Sequence, residues 1–358
     1  WLKYFGRALF SPVFFCFVLA TFIEFTIASA RKMPEIDSLP DSKRARLETR
    51  YEKMIASGPL LLDGEVGGLL WKRVKEEHKT VLVPASIVLD EPDTVKKVHL
   101  DYIEAGAQII TTNTYAIVRK RLLEIGGSTC KSLDHNRWEE MIVSACKIAV
   151  EAREESGKDV LIAGTLPPLH GSYKPDLVGA KDEICPVYAE HVKVMSEYVD
   201  FFLCETMSTA AEGWAACSEA KKSGKPVWVA WTLADDSSGL LRSDEPLAKA
   251  WEAVKSLEPD GVLVNCSMPE TISAALPQLA AMGPRIFGGH GNAFSAIPKG
   301  WKVQKGGISA LGKRHDLTPE AYAEFVSSWL DSGASMVGGC CQVGPDFIKA
   351  IREVMDKR

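Results

Sequence analysis

The sequence predicts an α/β fold, a (β/α)8 TIM barrel. Two observations carry that prediction. From residue 59 onward, eight short runs rich in β-formers alternate with longer amphipathic segments, the pattern of helices wrapped around a parallel sheet. The first run is not followed by GxGxxG, the turn with which an open doubly wound sheet seats a dinucleotide, so the closed barrel leads over that alternative.

The expected strands are PLLLDG (59–64), AQIITTNT (107–114), DVLIAGT (159–165), DFFLCET (200–206), PVWVAWTL (226–233), GVLVNC (261–266), RIFGGH (285–290) and SMVGGC (335–340). Helices are expected in PDTVKKVHLDYIEAG (92–106), NRWEEMIVSACKIAVEAREESG (136–157), TAAEGWAACSEAKKSG (209–224), PLAKAWEAVKSLEP (246–259), PETISAALPQLAAMG (269–283) and TPEAYAEFVSSWLDSG (318–333). Several open near Thr, Asp or Pro and stop at Gly, as helix ends do. A barrel of this kind places its chemistry where strands end and loops begin. Those ends carry Asp63 and Glu65, Thr112 and Asn113, Thr165, Cys204 and Glu205, Asn265 and Cys266, His290 and Asn292, and Cys340 and Cys341.

With 358 residues, 46% hydrophobic and 25% charged, the chain is long enough to bury a core without staples. A net charge of -5 offers no electrostatic footprint for nucleic acid, and KRAR and KKSGK read as solvated surface. Nine scattered cysteines point to reduced thiols and a cytoplasmic barrel rather than a secreted disulfide framework. The first thirty residues pull the other way, with basic residues ahead of an apolar stretch and then ASA, like a signal-peptidase site. A cleaved signal or transit peptide, a membrane anchor weakened by Glu24, and sequence upstream of a start at Met33 all stay open. Membrane association is expected only if this segment is retained. The domain reading is therefore 1–50 as a targeting-like segment with a polar linker, and 51–358 as the barrel. Because the leading segment supplies no strand, deleting residues before Glu35 is expected to leave a soluble, active protein, checked by expression and activity of the truncated chain.

Cys340 and Cys341 are adjacent, and a disulfide between neighbours on an extended backbone needs strained geometry. A shared partner is the better account. Cys266 ends the sixth strand and the pair ends the eighth, so three thiols approach across one intervening strand. Three thiolates suit zinc and leave one tetrahedral corner for substrate. The glycines before the pair are expected to let the backbone turn both sulfurs toward the metal. Such a centre, with net charge -1, is a poor Lewis acid for a carbonyl but deprotonates a thiol outright. With a substrate thiolate added it attracts a cationic donor, by about 4 kcal/mol per unit-charge pair at ~4 Å and an effective dielectric of about 20, before desolvation.

These motifs, GVLVNCS followed by GGCC, resemble those of the homocysteine S-methyltransferase family, cobalamin-independent zinc barrels that methylate homocysteine to methionine. LLLDGE, VHLDYIEAGAQIITTNTY and FLCET resemble the family's first-, second- and fourth-strand motifs in the right order. The resemblance implies a methyltransferase with Zn2+ on Cys266, Cys340 and Cys341, Glu205 holding the substrate ammonium, and Asp63 lining the amino-acid pocket. It places Thr112, Asn113, Asn265 and Asn292 in the matching substrate loops. It implies small-molecule partners, homocysteine and a methyl donor, and leaves the oligomeric state open. GTLPPLHGSY and GGHGNAF depart from the family's usual third- and seventh-strand loops, where a donor binds. The chain ends soon after GGCC, without the extension of the betaine-using branch, so a sulfonium donor such as S-methylmethionine or S-adenosylmethionine is expected.

Other readings compete: selenocysteine as acceptor, a zinc hydrolase, or a non-catalytic barrel with structural zinc or a redox-active Cys340/Cys341 pair. Cys130, Cys146, Cys185, Cys204 and Cys217 read as core thiols. His170 and His290 read as polar contacts near the donor, and Trp231, Tyr173, Phe294 and Trp301 as a candidate aromatic wall for a cation.

Overall fold

A computed structural model describes residues 49–79, 82–126, 133–236, 238–298 and 312–358. The apolar N-terminal segment, Cys130 and Trp301 lie outside the described residues. The chain divides between Glu52 and Lys53, and the barrel belongs to the second unit. Helix α1 (Arg50–Ala56) precedes the first strand.

All eight expected strands form. They are β1 (Leu60–Leu61), β2 (Ile109–Thr111), β3 (Leu161–Leu166), β4 (Phe201–Met207), β5 (Val227–Trp231), β6 (Gly261–Asn265), β7 (Ile286–Gly291) and β8 (Met336–Gly339). They pair in parallel in the order β1-β8-β7-β6-β5-β4-β3-β2. A parallel bridge between Leu62 and Ile109 joins β1 to β2. At that seam the Gln108 N–H donates to Leu61 O at 2.8 Å and the Asp63 N–H to Ile109 O at 2.9 Å, closing the ring.

The strands read as continuous apolar runs because helices cover the outside and side chains fill the inside. Alternation along β4 sends Phe202 and Cys204 out to the helical layer and Phe201, Leu203 and Glu205 inward. Inside, Phe201 meets Trp228 with ring centroids 4.4 Å apart. Glu205 is thus the last inward residue of a strand whose earlier inward residues are core.

The outer layer comprises α2 (Val66–Arg73), α3 (Val83–Asp90), α4 (Pro92–Glu104), α5 (Arg119–Gly126), α6 (Trp138–Ser156), α7 (Lys181–Met195), α8 (Ala210–Lys221), α9 (Leu247–Lys255), α10 (Pro269–Met282), α11 (Pro319–Asp331) and α12 (Pro345–Asp356). The six helices expected from sequence are α4, α6, α8, α9, α10 and α11. Thr209 and Thr318 cap α8 and α11 by accepting from Glu212 N and Ala321 N. The structure adds α7, where Pro186 interrupts the helical pattern and removes a donor. Burial of Ile184, Tyr188, Val192 and Met195 outweighs that loss. Among the described residues no helix is long and apolar enough to cross a membrane.

Candidate active site

The mouth of the barrel is where the backbone is most contorted. Of the six non-glycine residues with positive φ among the described residues, four stand there: Tyr173 at 63°, Thr206 at 62°, Cys266 at 50° and Gln342 at 63°. Such angles are costly for residues with a Cβ, most of all for β-branched Thr206, and persist only where surroundings enforce them. Thr206 lies in a register irregularity between Cys204 and Met207. Asn265 enforces it, its Oδ1 accepting from Thr206 N at 3.1 Å and its Nδ2 donating to Thr206 Oγ1 at 2.8 Å. This amide therefore fixes the turn that aims Glu205 into the barrel. Asn265→Ala is expected to cost about 1–3 kcal/mol of stability through the unpaired Thr206 groups and to raise the acceptor KM while metal content holds, checked by thermal unfolding, steady-state kinetics and metal analysis.

At the ends of β6 and β8 three sulfurs meet. Cys340 Sγ is 3.1 Å from Cys266 Sγ, Cys266 Sγ is 3.7 Å from Cys341 Sγ, and Cys340 Sγ is 4.0 Å from Cys341 Sγ. All three are free thiols. Thiolates at about 2.3 Å from one tetrahedral ion stand roughly 3.8 Å apart, so the cluster can hold a metal with a small opening of its tightest edge. The glycines before the pair do not make the turn expected of them, since neither Gly338 nor Gly339 has positive φ. They admit close neighbours instead: a Cβ on Gly339 would lie 2.1 Å from Val343 Cγ1, and one on Gly338 would lie 2.7 Å from Leu62 Cβ. Cys266 and Gln342 themselves take up the turns.

Contacts from distant loops hold the cluster. Tyr173 Oη is 2.8 Å from Cys266 Sγ, Thr232 Oγ1 donates to Cys266 O at 3.1 Å, and Asn292 Oδ1 accepts from Cys341 N at 3.2 Å. Burial opposes ionisation of Cys266, yet hydrogen bonds from Cys340, Cys341 and Tyr173 outweigh it and hold this thiol well below its ordinary range. Cys340 and Cys341 are pushed well above theirs, chiefly by Cys266.

Across the mouth lies an acidic floor. Burial pushes Glu205 up to about 8, with Cys266 and Asp63 adding to the effect. Asp63 accepts from Thr111 N at 2.8 Å and from Thr111 Oγ1, and burial outweighs these bonds to raise it to about 7. Among the described residues no lysine or arginine forms an ion pair with either carboxylate. His290 Nδ1 stands 3.9 Å from Glu205 Oε1, and burial lowers this imidazole to about 4 against the opposing influence of Cys266 and the Gly339 backbone. Glu205, His290 and Cys340 form a second group whose ligand atoms lie within 4.8 Å of one another.

The remaining expected site residues are engaged in the scaffold. Thr112 Oγ1 bonds Thr114 Oγ1 at 2.9 Å and accepts from Thr165 N at 3.1 Å, and Asn113 Nδ2 donates to Pro84 O at 2.7 Å. Asn292 Nδ2 and Thr165 Oγ1 are buried without partners. Tyr173 and Phe294 pack with Cys266 and Ile297 against Cys340 and Cys341, as a wall requires. Trp231 does not join them, because it is an outward residue of β5 whose ring lies against Gly213 of α8. His170 is half-buried in the loop after β3.

Sequence reasoning missed Asp235 and Arg242. Arg242 donates to Asp235 Oδ2 at 2.8 Å and to Ile297 O at 3.3 Å, and its guanidinium lies 4.9 Å from the Tyr173 ring centroid. Asp235 also accepts from Met268 N and Ile297 N, at 2.9 and 3.0 Å. This nearly buried pair ties the loops after β3, β5, β6 and β7 around the sulfurs. Opposite charges within LADDSSGLLRSDEP were the only signal, and surface loops carry the same signal.

A family model described as homocysteine S-methyltransferase matches residues 60–355, spanning all eight strands and the three cysteines. The chain belongs to the homocysteine S-methyltransferase family. It is accordingly a methyltransferase. It is similar to homocysteine S-methyltransferase 3 of Arabidopsis thaliana, 27% identical over 76% of this chain and 82% of that relative. It is also similar to the selenocysteine methyltransferase of Astragalus bisulcatus, 26% identical over 76% of this chain and 85% of that one. Among solved structures, the metallated homocysteine methyltransferase MmuM of Escherichia coli superposes with a TM-score of 0.69 at 21% identity, covering 85% of this chain and 99% of that one. That likeness establishes the barrel shared by this family member and MmuM.

Proposed function

We propose that the protein transfers a methyl group from a sulfonium donor, S-methylmethionine or S-adenosylmethionine, to the thiol of homocysteine, giving methionine, with zinc held by Cys266, Cys340 and Cys341. The observation that carries this reading is the convergence of three sulfurs within 4.0 Å at the barrel mouth. Soft thiolates select zinc over the hard cations, and three of them leave one corner of a tetrahedron for a substrate sulfur. When bound, zinc supplies deprotonation of an incoming thiol at neutral pH while leaving that sulfur nucleophilic.

The chain's own residues do the rest. Glu205 accepts the acceptor's ammonium group and sets its register, and Asp63 adds negative potential to the same floor. Tyr173 and Phe294 exclude water and offer aromatic faces to a cation. Asn292 fixes the Cys341 backbone, and Thr112, Asn113 and Asn265 hold the loops that carry these groups. In the transfer, the acceptor thiolate gains the sulfur–methyl bond. The electron pair of the donor's broken sulfur–methyl bond stays on the donor sulfur, which departs as a neutral thioether. Opposite charges cancel in this step, so a water-excluded site favours it.

Similarity to a selenocysteine methyltransferase supports a second reading in which selenocysteine is the acceptor. The test is a matrix of homocysteine and selenocysteine against S-methylmethionine, S-adenosylmethionine and betaine, scored for methylated product with and without chelator. Methionine from a sulfonium and zinc-loaded protein is expected. Undiminished activity after complete metal removal, or methylation from betaine alone, overturns the proposal.

A further inference from the structure

We propose that His290 is a second acceptor for the α-ammonium group of the amino-acid substrate, acting together with Glu205. The inference rests on the amino-acid-thiol reading above. His290 stands near the end of β7, completely buried; the Gly339 backbone stands against the ring without a well-formed hydrogen bond, and no other protein group pairs with its nitrogens. A neutral imidazole carries one donor and one acceptor nitrogen, and a buried polar group left unpaired is costly. A backbone carbonyl such as that of Gly339 can engage only the donor nitrogen, so the acceptor nitrogen is left open to a donor from outside the described residues.

The geometry indicates what it is. Nδ1 and Glu205 Oε1 are 3.9 Å apart, too far for a hydrogen bond between them. A single ammonium nitrogen with two acceptors each about 2.9 Å away, along tetrahedral N–H directions, holds those acceptors roughly 4.7 Å apart, and moderate bending shortens this to about 4 Å. One small cationic donor fits between the pair, bonding the carboxylate with one N–H and the imidazole with another. Among the described residues no lysine or arginine supplies that cation. The sulfurs lie on the same side of the pocket, Cys340 being within 4.8 Å of both groups, so an amino-acid thiol can reach the sulfur cluster and this pair at once. His290 thereby helps the site select an amino acid over a simple thiol.

The experiment uses the full zinc-loaded chain and measures dissociation constants by calorimetry for homocysteine and for 4-mercaptobutanoate, which keeps thiol and carboxylate but lacks the ammonium. His290→Phe is expected to weaken homocysteine by about 10- to 100-fold, the range for a hydrogen bond to a charged group. It should leave 4-mercaptobutanoate within about twofold, and His290→Gln, which restores an acceptor oxygen, should recover part of the loss. Equal loss for both thiols, no loss for either, or loss of zinc, which would make His290 a ligand, overturns the proposal. Should the Phe variant fail to fold, nitrogen NMR of the wild-type imidazole decides: its resonances should move with homocysteine and not with 4-mercaptobutanoate, and equal movement with both overturns it. Glu205→Gln measured alongside separates the two levels. If it discriminates between the thiols and His290→Phe does not, only the His290 role fails; if neither variant discriminates, the amino-acid-acceptor reading fails with it.

Discussion

Replacing Cys341 by Ser is expected to lower the metal content and the activity together. Zinc binding to thiolate-rich protein sites is worth about 10–16 kcal/mol at neutral pH, an average of roughly 3 kcal/mol per ligand, so losing one thiolate lowers affinity by about a hundredfold. A serine hydroxyl recovers little, since it is a hard ligand that stays protonated. The same holds for Cys266 and Cys340, with one distinction. Cys266 makes the Tyr173 contact, so Cys266→Ser should also loosen the loop after β3. Zinc per chain by elemental analysis and methionine formation by the same samples are the measurements. A Cys341→Ser protein that is metal-free and fully active would end the metal-based mechanism.

Glu205→Gln should weaken homocysteine binding by about 2–4 kcal/mol, some 30- to 1,000-fold, with zinc content unchanged. The carboxylate is buried, its side chain only 13% exposed, and no lysine or arginine among the described residues offers it a counter-charge, so the incoming ammonium is its partner. The pH dependence follows with a definite sign. Burial raises the free carboxyl to about 8, so at lower pH it is protonated and must lose that proton before it can pair with an ammonium. Homocysteine affinity should therefore rise with pH up to about 8, by at most tenfold per unit, and level off above it. Folding stability runs the other way. A carboxyl raised above its unfolded value of 4.5 stabilises the fold while protonated, and that contribution is lost as pH climbs from 4.5 toward 8. In Glu205→Gln the extra pH dependence of homocysteine binding should vanish, leaving only that of the thiol. A binding profile of unchanged shape in the variant, or an equal loss for 4-mercaptobutanoate, would remove Glu205 from the ammonium site.

Local pattern made much of the fold legible. Strands such as GVLVNC and DFFLCET are recognisable because a parallel sheet buried on both faces needs uninterrupted β-branched and aromatic runs, and capped helices announce themselves by Thr and Pro at their starts. Where a local signal was contradictory, tertiary burial decided. Helix α7 forms around Pro186 because its apolar face is covered, a gain that no window of sequence can weigh.

For the site, the sequence by itself determined which residues stand at the strand ends: three cysteines just after β6 and β8, an acid at the end of β4 and another after β1. Only the tertiary structure decided which polar groups remain available for a ligand. Asn265 spends both ends of its amide on Thr206, 59 residues away, while Tyr173 reaches Cys266 across 93 residues. Trp231 turns outward to α8, and His290 stands buried beside Glu205 with no side chain pairing its nitrogens. The physical reason is that side-chain periodicity and strand ends are properties of consecutive residues, whereas satisfying a buried hydrogen-bonding group is a matter of whichever distant segments the closed barrel brings to one mouth.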